Sequence, residues 1–288
     1  MVQSALSPTL RRAALLCAAT IAVGCKMEQK PPATPAAAAA APHAFTVHAK
    51  DFAFTAPDTV PAGLTTITLV NAGPGIHHVQ LVRLDSGKTV ADVTKAMNGL
   101  GPFPAWAHAA GGPNPTTTPG AQTEATVDLA PGSYAIICMV DVPDHVSHYK
   151  KGMARALTVT PYTGAAPTLG AADVTITATE YAFTMTDTVK PGMRTFDVKL
   201  PGKQPHEVVV FKLDPGKTMR DLAKWGASFQ GPPPATVIGG ISAIDPGMTA
   251  RFMANITPGD YVLLCFINDS KDGKPHMMHG MALQFKVT

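Results

Sequence analysis

Charge is scarce in this chain of 288 residues: Asp, Glu, Lys and Arg together make up 15%, and the formal net charge is +3. No block of lysines and arginines exists that could grip a phosphate backbone, so nucleic acid is not an expected partner. Aromatic residues are only 6%. No apolar run reaches the roughly 20 residues that a membrane-spanning helix needs. No His-x-His pair occurs anywhere. Cysteine is limited to four residues, and an even count in an exported chain first suggests two disulfides; their positions point elsewhere. What is plentiful is glycine (25) and proline (27), which punctuate short strands and turns rather than long helices. Hydrophobic residues reach 45%, enough for real cores, and the length is a prior for two domains.

The N-terminus has the layout of an export signal. Arg11 and Arg12 precede an apolar stretch from Ala13 to Val23, a positive region followed by a short hydrophobic one. It ends Ala22-Val23-Gly24-Cys25, which resembles a bacterial lipobox and makes Cys25 the candidate lipidation site. Residues 1–25 are therefore expected to be a lipoprotein signal, and residues 26–42, rich in Ala and Pro, an extended tether. The expected location is the cell envelope or periplasm, with the membrane met through the lipid anchor only.

The rest is one unit written twice. Ala49–Val60 reads AKDFAFTAPDTV and Ala178–Val189 reads ATEYAFTMTDTV, an offset of 129 residues (Ala178 against Ala49). LDSGKT at Leu84–Thr89 returns as LDPGKT at Leu213–Thr218, and PGSYAIIC at Pro131–Cys138 as PGDYVLLC at Pro258–Cys265. The division expected is a first domain over 43–160, a linker over 161–172 and a second domain over 173–288. Ile67–Val70, Val79–Leu84, Tyr134–Met139 and Thr175–Thr177 read as short strands. Thr89 with Asp92, and Thr218 with Asp221, have capping-box spacing, which predicts short helices over about Val90–Met97 and Met219–Trp225. The fold class expected is all-β: two tandem Greek-key sandwich or barrel domains, each with a short inserted helix.

Metal-ligating side chains recur at equivalent places in both copies. His77 pairs with His206, Cys138 with Cys265, His148 with His276, and Met153 with Met281. Two imidazoles and a thiolate make a trigonal site, and a thioether supplies a weak axial ligand, which is the type-1 copper arrangement. Methionine argues against zinc. In these residues the sequence resembles the cupredoxin family, over nearly all of the chain beyond the tether. The resemblance implies a first His after a strand, a Cys ending the next-to-last strand, and a loop returning His and Met before the last strand, expected at Ala156–Thr160 and Leu283–Thr288. Nine residues separate Cys138 from His148 and ten separate Cys265 from His276. Plastocyanin-like proteins have far fewer, whereas copper nitrite reductases have a comparably long loop with the same His-x4-Met ending. Cys138 and Cys265, as equivalent core positions of two domains, are not expected to form a disulfide.

The function expected is electron transfer, with up to two coppers per chain cycling between Cu(I) and Cu(II) and envelope redox proteins as partners. Copper delivery, storage or resistance is the alternative. An enzyme resembling nitrite reductase or a multicopper oxidase is less favoured, because Ile137 and Leu264 precede the cysteines where a second centre would want His. His148 and His276 are expected near the surface as electron ports, with Tyr149, Met277 and Met278 in an apolar docking patch. His78, if on a strand, would face away from His77 and serve a surface role. His145 is a rival to His148, and His279 could join a Met/His copper-loading patch but reads better as a solvated loop residue. His43, His48 and His108 have no counterpart in the second copy. Asp141, Asp144, Lys150 and Lys151 read as solvated loop charges.

Overall fold

The computed structural model describes residues 40–117, 120–141, 144–186, 188–226 and 230–288. The signal, Cys17, Cys25 and nearly all of the tether lie outside these residues.

The first repeat begins with β1 (His43–Lys50), in which Phe45, Val47 and Ala49 are buried and their neighbours exposed, the alternation of a strand with one face on a core. It hairpins into β2 (Ala53–Thr55) and pairs in parallel with β4 (Gly63–Asn71); β3 (Thr59–Pro61) leads into β4. β5 (Gln80–Leu84), β6 (Ala107–Ala109), β7 (Gln122–Leu129), β8 (Gly132–Ile137) and β9 (Ala154–Thr160) complete it. The second repeat follows the same order: β10 (Val174–Thr179), β11 (Ala182–Met185), β12 (Gly192–Lys199), β13 (His206–Leu213), β14 (Ala235–Ile244), β15 (Thr249–Ile256), β16 (Gly259–Leu264) and β17 (Ala282–Val287). Each repeat is a two-sheet sandwich. β5, β8, β13 and β16 are almost wholly buried, which is why they read as continuous apolar runs rather than as alternation.

The inserted helices are α1 (Val90–Ala96) and α2 (Met219–Gly226). Both start on the expected caps. The Thr89 hydroxyl accepts from the Asp92 N–H at 3.2 Å, and Asp92 Oδ2 accepts from the Thr89 N–H at 2.8 Å. Thr218 and Asp221 repeat this at 3.3 and 2.9 Å. Each helix places one residue inside, Val93 or Leu222.

The two repeats share a sheet. β7 pairs antiparallel with β15 through Glu124–Thr126 and Arg251–Met253, making one eight-stranded sheet in the order β11-β10-β12-β15-β7-β4-β1-β2. A four-stranded sheet (β14-β13-β16-β17) closes the second sandwich and a five-stranded one (β3-β9-β8-β5-β6) the first. Residues Ala39–Thr288 cluster as one unit, and the main hydrophobic core contains side chains of both repeats, from Val47 and Ile136 to Phe252 and Leu263.

A second set of contacts joins the repeats reciprocally. Asn114 of the first donates to the Val208 and Ile241 carbonyls of the second, and Ser242 of the second donates to the Val79 and Gly112 carbonyls of the first. Gly112 and Gly240 lie in these two straps at φ +134° and +129°. A Cβ at either would overlap a carbonyl oxygen, Val79's or Val208's, so only glycine permits so close an approach. Those carbonyls lie two residues beyond His77 and His206, so the straps brace the segments that carry the first candidate ligands. His108 also spans the repeats, reaching Asp85 at 3.1 Å and Asp245 at 3.5 Å.

Candidate metal centres

Each candidate centre is assembled from three pieces of chain. In the first repeat, His77 lies on the segment between β4 and β5, Cys138 directly follows β8, and His148 opens a 3-10 turn over His148–Lys151. The long Cys-to-His loop is folded back on itself by its own backbone. The His148 N–H donates to the Val140 carbonyl (2.8 Å), Tyr149 to Cys138 (2.8 Å), and Met153 to His148 (3.0 Å). Gly152 turns the chain at φ 100° between His148 and Met153, a left-handed position that suits glycine. The second repeat does the same with His276 to Ile267 (2.8 Å), Met277 to Cys265 (2.9 Å), Met281 to His276 (3.1 Å), and Gly280 at φ 96°. The loop length is thus absorbed without moving the histidine away from the cysteine.

His77, Cys138 and His148 converge, as do His206, Cys265 and His276. In the first group the two Nδ1 atoms are 3.2 Å apart, and Cys138 Sγ is 3.5 Å from His148 Nδ1. In the second, the Nδ1 atoms are 2.9 Å apart, and Cys265 Sγ is 3.5 Å from His276 Nδ1 and 4.0 Å from His206 Nδ1. Metal–nitrogen bonds of about 2.0 Å and metal–sulfur bonds of about 2.3 Å, at tetrahedral to trigonal angles, require separations of about 3.4–3.8 Å. The 3.5 Å nitrogen–sulfur distances match that spacing and the nitrogen–nitrogen distances are slightly under it, so a small parting of the rings lets one ion bridge the donors. Met153 and Met281 are also fully buried, and the Met153 carbonyl accepts from the Cys138 N–H at 3.2 Å. Both cysteines are free thiols.

The electrostatics are those of sites prepared for a cation. Burial pushes the Cys138 thiol up to about 12 and raises Cys265 as well; a thiolate there needs a positive charge beside it, so metal binding releases a proton. Burial, then the charge of His276, pulls His206 down to about 4, and burial also lowers His276. Both shifts favour the neutral form of these two rings, which keeps a lone pair for a metal. Nδ1 of His148, His206 and His276 lies 3.5–4.0 Å from the sulfur of its site, and Nδ1 of His77 faces His148. His77 Nε2 meets Asp51 Oδ1 at 2.6 Å. His206 Nε2 and His276 Nε2 make no hydrogen bond, and the carboxylates of Glu180 and Asp269 lie 4.0 and 3.8 Å from them.

These outer residues were not anticipated from the sequence. Asp51 and Phe52 sit in the β1–β2 hairpin, and Glu180 and Tyr181 in the β10–β11 hairpin, at the 129-residue offset. The acid approaches the first histidine and the aromatic ring covers the second: Phe52 packs edge-on to His148 (centroids 5.0 Å) and Tyr181 to His276 (5.5 Å). The signal was present in the repeated DFAF and EYAF, where acid and aromatic character both persist.

Several expectations about individual residues are corrected. His148 and His276, expected near the surface, are 3% and 0% exposed, each beneath one of those two rings. Tyr149 is buried too, its hydroxyl accepting from the Gly99 N–H, so it is no part of a surface patch; Met278 is exposed and Met277 half-buried. His78 is buried because its segment is not a strand and both sides are covered; its Nδ1 lies 3.9 Å from Cys138 Sγ, and burial pulls it down to about 3. Lys151 is not simply solvated: it pairs with Asp144 at 2.8 Å and sits 4.7 Å over the Phe52 ring. His145 is exposed, at φ 58°. His279 pairs with Asp272 at 3.1 Å, and Asp269 joins them in a third donor group, of two carboxylates and one imidazole. Asp269 is already taken up by Tyr181 and Gln204, which hold its carboxyl well below the usual range.

No family model and no curated protein matches the chain. Among solved structures it is similar to a reduced auracyanin from Roseiflexus castenholzii (25% identity, 42% of this chain, 100% of that one, TM-score 0.29). It is also similar to a copper-containing nitrite reductase from Thermus scotoductus (14%, 86% and 62%, 0.23) and a blue copper oxidase from Nitrosomonas europaea (14%, 85% and 86%, 0.24). The chain's own strand order makes a two-sheet β-sandwich twice, and its two buried His–Cys–His groups are consistent with copper. Among the described residues no helix is long and apolar enough to cross a membrane.

Proposed function

We propose that this protein is a two-copper electron carrier of the cell envelope, holding one type-1 copper in each repeat. His77, Cys138 and His148 would hold the first ion and His206, Cys265 and His276 the second, with Met153 and Met281 as weak axial ligands. Copper supplies a one-electron Cu(I)/Cu(II) couple; the protein's part is to fix the donors, keep them dry and cover them. The observation that carries this reading is the convergence of thiol and two imidazole Nδ1 atoms to near bonding separations, built twice from the same pieces of chain.

Burial favours a carrier over a copper donor. The six nitrogen and sulfur ligands are 0–3% exposed, and releasing an ion would require opening the hairpin and the returning loop. The same cover, Phe52 over one site and Tyr181 over the other, leaves electrons to pass at these ring edges rather than through an exposed imidazole. Anchoring through Cys25 would hold the body at a membrane surface, where envelope redox proteins are its partners; such redox complexes are small and short-lived.

Copper-loaded protein is expected to bind two ions per chain and to show the intense visible thiolate-to-copper absorption of type-1 sites. Cys138→Ser and Cys265→Ser should each remove one ion and part of the band, and the double variant all of it. Retention of full colour in the double variant, or no visible band in the parent, would overturn the assignment.

A further inference from the structure

The two centres are built alike from the same elements, but they differ at the residue that follows the first histidine. His78 holds that place in the first repeat and Glu207 in the second, and both are buried at 6% exposure. His78 sets an imidazole Nδ1 3.9 Å from the Cys138 sulfur. Glu207 brings a carboxyl group instead. One oxygen accepts from the N–H of Phe266, the residue after Cys265, at 3.0 Å, and the Asn114 amide also faces it. The outer carboxylates do not order the sites: Asp51 is 2.6 Å from the His77 ring, its counterpart Glu180 4.0 Å from His206, and Asp269 3.8 Å from His276. A carboxyl group beside a metal–thiolate favours the more positive ion more than an imidazole or an amide does.

Resting on the two-copper reading above, we infer that the position shared by His78 and Glu207 sets the two reduction potentials apart, with the first-repeat copper reduced before the second. A chain given one electron would hold it in the first repeat. His78 and Glu207 are positioning residues here: they touch the thiolate's surroundings and not the metal.

The test uses full-length protein with one site left. Cys265→Ser leaves the first centre and Cys138→Ser the second, and each is titrated by following its visible band against electrode potential. The first centre is expected to have the higher midpoint. Adding Glu207→Gln to Cys138→Ser should raise that midpoint towards the first, because the amide oxygen still accepts from Phe266 while the carboxyl is gone. An unchanged copper content and band position in Glu207→Gln separates tuning from a merely structural role. Coincident midpoints, the reverse order, or a midpoint indifferent to Glu207→Gln would overturn the inference while leaving the copper reading standing. No thiolate-to-copper band in either single-site protein would overturn both.

Discussion

A carboxylate oxygen 2.6 Å from His77 Nε2 holds the ring so that Nδ1, and not Nε2, faces His148 Nδ1. Orienting partners of this kind typically contribute 10–100-fold to metal affinity. Asp51→Asn is therefore expected to weaken copper binding in the first repeat by about that factor, measured by competition with a chelator in the Cys265→Ser protein, with the far-UV spectrum unchanged. Glu180→Gln should do less, since Glu180 stands 4.0 Å from its histidine. The candidate ligands stand out in the sequence because each is a rare residue type repeated at a near-constant offset. Asp51 and Glu180 were in plain view within the same repeat, but an acid before an aromatic has no meaning until the hairpin folds it over a histidine. His78 was misjudged for a physical reason too: alternation of faces holds on a strand, and residues 77–79 precede β5 rather than belong to it.

Among the elements, the two helices were legible almost to the residue because a capping box is a local device, closed by hydrogen bonds between residues three apart. It also titrates. Hydrogen bonds from the Thr89 side chain and backbone hold the Asp92 carboxyl below its ordinary range, and Thr218 does the same for Asp221. A carboxyl lowered on folding stabilises above its unfolded pKa, and that stabilisation is lost as pH falls through the lowered value. Amide exchange protection in α1 and α2 is expected to fall on acidification below about pH 4. Asp92→Asn and Asp221→Asn should start lower and respond less; equal acid sensitivity in parent and variants would count against the caps. Strand ends were less legible. The apolar run expected over Val79–Leu84 forms a strand only from Gln80, because Val79 donates instead to the Pro113 carbonyl of a strap, a partner no local pattern reveals.

At the scale of the whole molecule, the duplication was legible but the fusion of the copies was not. Nothing in a repeat announces that β7 will pair with β15, or that Asn114 and Ser242 will exchange hydrogen bonds. Residues 161–166 are exposed, while the shared sheet, the common core and the straps lie elsewhere. A protease site inserted between Gly164 and Ala165 is therefore expected to yield two fragments that still elute as one species on size exclusion. Separate elution without denaturant would show that the covalent link is what holds the halves.

The reciprocal straps have a further consequence. Asn114 reaches the carbonyl that follows His206 and Glu207, and Ser242 reaches the carbonyl that follows His77 and His78. Each half thus supports the other's ligand segment through the same surface, the self-complementary relation that two identical subunits have across a two-fold axis. The chain carries inside itself the interface of a homodimer, and the linker's remaining office is to keep the two partners at high local concentration.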